Sequence, residues 1–168
     1  MEPMTLDELV HAIKAGDRVA VPPGTDFKRL DFSGVNLTRV RLEGVNLDGA
    51  SFAKANLNAV NLRGSSLVGA NLDRAILCGA NMSGADLRFA TLKRAKMANA
   101  DLRRANLSSC NMSNADLTGA KLANANLIKA NFGAARLGKI DFTKIDFAGA
   151  VGLHGGLVKR LAARASIG

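Results

Sequence analysis

Along most of this chain an apolar residue returns at every fifth position, and mainly polar or small residues fill the places between. The stretch from Ala80 to Leu107 reads ANMSG ADLRF ATLKR AKMAN ADLRR ANL. Its register extends without an insertion from Phe27 to Phe147, giving 25 blocks of five. The central residue is Leu in 16 blocks, Phe in six (Phe27, Phe32, Phe52, Phe132, Phe142, Phe147) and Met in three (Met82, Met97, Met112), so no polar residue interrupts the column. Two places before the centre, 15 of the 25 residues are Ala; one place before it, 17 are Asn or Asp.

Neither a straight strand nor a helix buries such a column. Side chains five apart point to opposite faces of a strand and lie roughly 140° apart on a helix. The chain must therefore bend once per block, which turns every central residue toward one axis and sets the small residue inside the corner. The closing residue of the block is Gly or Asn in 12 of the 25 blocks, as corners with positive φ favour.

The blocks ADLRF, ADLRR, ANLSS, ADLTG and ANLIK resemble the A(D/N)LXX signature of the pentapeptide-repeat family, over about 125 of the 168 residues. The resemblance implies an all-β fold, a right-handed quadrilateral β-helix with four blocks to a coil and so about six coils. Stacked at about 4.8 Å, these make a rod roughly 30 Å long. It implies a scaffold whose function depends on what its surface binds.

The ends depart from the repeat. Residues 1–24 are expected to cap the N-terminal coil: Thr5 to Glu8 reads as a capping box, and Leu6, Leu9, Val10 and Ile13 follow at helical spacing until Gly16. Arg18 to Val21 reads as a short strand, and Pro22, Pro23 and Gly24 turn the chain into a β-helix over 25–149. Beyond Phe147 the next centre would be Gly152. Gly152, Gly155 and Gly156 predict a loop, then Leu157, Val158, Leu161, Ala162 and Ala165 a helical stripe, within a segment 150–168. A C-terminal cap, a homodimer contact through this end and a basic membrane-surface helix are the open readings. The cap is favoured because a bare solenoid end invites aggregation.

Composition narrows the chemistry. With no Trp and no Tyr, the core must be built of Leu and Ala. No apolar run is long enough for a bilayer, and the start MEPMTLDELV is too acidic and polar for a secretory signal, so the expected location is the cytoplasm. Cys110 falls in the inward Ala column and Cys78 faces out after Leu77, so the two are expected to stay unpaired, as suits a reducing compartment. His11 and His154 fall in different caps without metal-ligand spacing, and there is no phosphate-cradling glycine motif. The Asp residues occupy turn positions. We therefore expect no enzyme activity and no metal or cofactor.

The surface is where this chain is distinctive. The formal net charge is +9 and the pI about 10.2. Sorted by every fourth block, the outward positions carry net charges of 0, +2, +3 and +3 on the four faces. Lys54, Arg74 and Arg94 are equivalent corners of consecutive coils and should form a like-charge column. The coil 85–104 adds Arg88, Lys93, Arg103 and Arg104, and Phe89 is the one Phe outside the central column. These eight residues are the candidate partner-binding set, because an aromatic beside arginines is a common anchor composition at interfaces. The expected function is a non-enzymatic binding or scaffold protein for an acidic protein surface. Two other functions remain open. Members of the resembled family that mimic DNA, bind gyrase and protect it from quinolones need a negative rod, which the positive charge opposes. An electrostatic nucleic-acid binder fits the charge but lacks stacking aromatics.

Overall fold

The computed structural model describes residues 5–14, 19–140, 142 and 144–153, and in them the chain winds as a parallel β-helix. Single parallel bridges join residues 20 apart, from Asp26↔Asn46 to Asn131↔Val151, so each block lies under its counterpart four blocks on. Each coil thus has four sides. The first face holds the blocks centred on Phe27, Leu47, Leu67, Leu87, Leu107, Leu127 and Phe147; the second, those on Phe32, Phe52, Leu72, Leu92, Met112 and Phe132.

Five residues suit one side because, where Asn or Asp precedes the centre, all five N–H groups can find acceptors, as buried or stacked backbone requires. In the block Ala85–Phe89 the Ala85 N–H closes the corner onto the Met82 carbonyl (3.1 Å), and that of Asp86 reaches the Ser65 carbonyl in the preceding coil (3.0 Å). Leu87 and Phe89 donate to Asn106 and Ser108 of the next coil (2.7 and 3.2 Å). The N–H of Arg88 goes instead to the side chain of Asp86, at 3.1 Å. Each of the sixteen described Asn and Asp residues at this place makes the same turn-closing bond, at 2.9–3.2 Å. Where Ser66 and Thr91 stand there, Asp48 and Asp73 of the preceding coil cap Val68 and Lys93 instead.

Central side chains fill the axis, and from Phe27 to Phe132 each is at most 1% exposed. The small inward column packs beside them. Its one buried Ser, Ser65, donates its hydroxyl to the Leu42 carbonyl. Phe27, Phe32 and Phe52 cluster at the N-terminal end, the Phe27 ring edge-on to Phe32 at 5.8 Å and the Phe32 and Phe52 rings 4.9 Å apart and nearly parallel.

At the N-terminus, helix α1 spans Leu6–Lys14. Glu8 accepts from the Thr5 N–H at 2.7 Å, and the Thr5 hydroxyl oxygen accepts from the Glu8 N–H at 3.2 Å, so the capping box closes in both directions. Leu9 of α1 is fully buried in the same apolar cluster as Phe27 and Leu47. The strand expected from Arg18 to Val21 reduces, among the described residues, to one bridge, Ala20↔Arg41, offset by 21 residues. Pro22 and Pro23 have no N–H to continue a ladder there. At the other end the path runs past Phe147 to Val151. Gly152 (φ 76°) then takes the next central place, where a Cβ would run into the backbone of Gly133. The loop and helix expected from His154 onward lie outside the described residues.

Candidate functional site

The site begins with backbone strain at the corners. The closing residue of all 25 blocks has positive φ; sixteen of these residues are not Gly, and nine of the sixteen are Lys or Arg. A left-handed conformation costs an ordinary L-residue about 1–2 kcal/mol. Long cations therefore stand where Gly or Asn would fold with less strain.

On the second face this produces a stack. The N–H of Lys54 donates to Asp73 O at 2.9 Å, that of Arg74 to Lys93 O at 2.8 Å and that of Arg94 to Ser113 O at 3.0 Å, so the three cations occupy consecutive rungs. Around the upper two lies a shallow depression of about 370 Å³, lined by Asp73, Arg74, Lys93, Arg94, Ser113 and Asn114. Asp73 is the acid available to neutralise this corner, but its Oδ1 accepts from the Thr91 hydroxyl and the Lys93 N–H. Among the described residues, no carboxylate lies within ion-pair distance of Lys54, Arg74, Lys93, Arg94 or Arg104.

The other candidates are differently placed. Arg88 pairs with Asp86 at 2.8 Å and Arg103 with Asp101 at 2.6 Å, each across one turn of its own block. The Arg103 guanidinium holds the Asp101 carboxyl below its ordinary range, and the Asp86 carboxylate pushes Arg88 up. Arg103 and Arg104 lie two corners away from Lys93 and Arg94, on the opposite face. Phe89 is 64% exposed, with φ 61°. It stands at the corner where the second face begins, whereas the depression stands where that face ends. Of the eight candidates, the structure gathers Arg74, Lys93 and Arg94 into one depression, sets Lys54 a rung below, and leaves Phe89 at the far edge of the same face.

Ser113 and Asn114 are missed by reading charge alone. The repeat itself points to them, because they occupy the places of Lys93 and Arg94 one coil later. Among the described residues, no group of His, Cys, Asp and Glu could hold a metal ion, and no helix is long and apolar enough to cross a membrane.

A family model for pentapeptide repeats (8 copies) matches residues 25–64, 55–94 and 85–124. The chain belongs to the pentapeptide-repeat family. Pentapeptide-repeat proteins are right-handed β-helices, and the parallel coils described above are this chain's form of that fold. Solved pentapeptide-repeat structures similar to it include HetL, involved in heterocyst differentiation regulation in the cyanobacterium Nostoc sp. strain PCC 7120. HetL is 22% identical, with 89% of this chain and 93% of HetL covered and a TM-score of 0.41. A pentapeptide-repeat protein from the Arabidopsis thaliana thylakoid lumen is 27% identical, with coverage of 82% and 74% and a TM-score of 0.39. QnrB1, a plasmid-mediated fluoroquinolone resistance protein, is 17% identical, with coverage of 83% and 87% and a TM-score of 0.32. No curated protein matches the chain.

Proposed function

We propose that this pentapeptide-repeat chain is a non-enzymatic binding protein whose second face docks an acidic protein surface. The observation that carries the reading is the stack of Lys54, Arg74 and Arg94 with Lys93, held on a hydrogen-bonded backbone and left without carboxylate partners among the described residues. Like charges on adjacent rungs repel, so a surface that keeps them is complementary to an anionic one. Phe89 supplies an apolar anchor at the other edge of the face. A protein partner fits better than a nucleic acid because Phe89 is the one strongly exposed aromatic among the described residues, and base stacking uses several. The net charge of +9 opposes the DNA-mimic mode.

The test is a pull-down from a lysate of the source organism, with and without nuclease. It compares the wild type with an Arg74→Glu/Phe89→Ala/Arg94→Glu variant whose circular dichroism matches the wild type. The expected result is a protein retained by the wild type after nuclease and lost with the variant. Recovery of nucleic acid alone, or a partner indifferent to the three substitutions, overturns the reading.

A further inference from the structure

The depression on the second face has more definite chemistry than a general basic patch. Its ionised lining is Arg74, Lys93 and Arg94 against Asp73, a net of +2. Asp73 makes no ion pair with the guanidinium groups; its Oδ1 accepts from the Thr91 hydroxyl and the Lys93 N–H. Ser113 uses its N–H to close the turn with Asn111, at 3.1 Å. Among the described residues, the Ser113 hydroxyl and the Asn114 side-chain amide make no hydrogen bond, so both remain available as neutral donors beside the three cations, while the Asn114 N–H donates to Gly133 O at 2.7 Å. The column then ends, since the next rung carries Gly133 and Ala134.

We infer that this depression is a subsite for a phosphate monoester dianion carried on a side chain of the acidic protein partner, an inference that rests on the binding-face reading above. A monoester bears a charge of about −1.5 to −2 at neutral pH and three terminal oxygens, which match two guanidinium forks, an ammonium, a hydroxyl and an amide. A carboxylate offers one charge and two oxygens in a plane, leaving half of the lining charge unopposed. A duplex backbone needs a longer row of cations than one bounded by Gly133 and Ala134.

The probe is N-acetyl-O-phosphoserine amide, titrated into the full ¹⁵N-labelled chain and followed by amide shifts, with N-acetyl-aspartate amide and inorganic phosphate as parallel arms. The expected result is shifts centred on Arg74, Lys93, Arg94 and Ser113. Binding should weaken about 10-fold from pH 7.5 to pH 5, as the monoester dianion takes up one proton near pH 6 and becomes a monoanion. Arg74→Gln/Arg94→Gln should abolish these shifts, and Ser113→Ala should weaken binding by about 2- to 5-fold, as loss of one hydrogen bond does. Equal affinity for the aspartate probe, or shifts scattered over all basic corners, overturns the subsite. Inorganic phosphate bound as tightly as the phosphoserine probe overturns the side-chain source in favour of a free anion. If the phosphoserine probe does not bind while the triple variant still loses its protein partner, the subsite fails and the docking face survives. Localised probe binding without any retained protein gives the reverse.

Discussion

At the level of single residues, position in the block decides both strain and reactivity. Phe89 and Arg94 occupy the same left-handed corner, with φ of 61° and 57°. Replacing either by Gly should raise stability by about 0.5–1 kcal/mol, the left-handed cost less the extra freedom Gly gives the unfolded chain. Denaturant unfolding would show this, and the Phe89→Gly variant should at the same time lose the partner. A stability decrease would mean that these side chains contribute more by packing than their exposure indicates. The two thiols make a second contrast: burial pushes the Cys110 thiol up to about 12, while Cys78 is half-buried on the outside. Iodoacetamide at pH 8 should label Cys78 and spare Cys110 in the folded protein, and label both in urea; mass spectrometry of the peptides distinguishes these outcomes.

At the level of the block, the turn side chain is what keeps the fourth N–H satisfied. Asp73 performs that service across coils for Lys93 and for the Thr91 hydroxyl, so Asp73→Ala should cost about 1–2 kcal/mol in denaturant unfolding. Thr91→Asn added to it should restore most of the loss, because the introduced amide would close the turn from within its own block; an unchanged deficit would show that the cap is not the source of the cost. Much of this level was legible in the sequence. The buried column, the Asn and Asp turn bonds and the Thr5–Glu8 capping box all depend on residues within one block or turn, where spacing fixes contact. Legibility ended where partners sit 18 to 20 residues apart, as Asp73 does from Thr91 and Lys93. Counting charges makes Asp73 a neutraliser of the corner and groups paired Arg88 and Arg103 with unpaired Arg74 and Arg94. Whether a carboxylate that caps a backbone N–H also pairs with a guanidinium, as Asp86 and Asp101 do and Asp73 does not, depends on rotamers, and the repeat leaves those free.

For the molecule as a whole, one apolar cluster runs from Leu9 of α1 to Ala135, so a defect anywhere inside weakens neighbours on both sides. Leu87→Ala, in the middle of it, should cost about 2–5 kcal/mol. Acid should act on the whole rod as well. The Asp101 carboxyl is held low by the Arg103 side chain, that of Asp116 by the Thr118 hydroxyl and that of Asp31 by the side chain and N–H of Ser33, the N–H donating at 2.9 Å. Because these folded values lie below the unfolded ones, their stabilisation is present above about pH 4 and is lost as pH falls through the lower folded values. Melting followed by circular dichroism should be level from about pH 7 to 5 and fall below about pH 4, with a shallower fall for Asp101→Asn. A profile that stays flat down to about pH 2.5 would count against these bonds. The constant 20-residue coil also makes position around the rod a matter of counting. Five residues added after Arg74 would rotate everything downstream by a quarter turn, carrying Lys93 and Arg94 away from Arg74 while both halves stay wound. The same five added after Asn114 would leave the corner whole. Evolution by gain and loss of single blocks can thus deal new combinations of old side chains onto a face without inventing a new one.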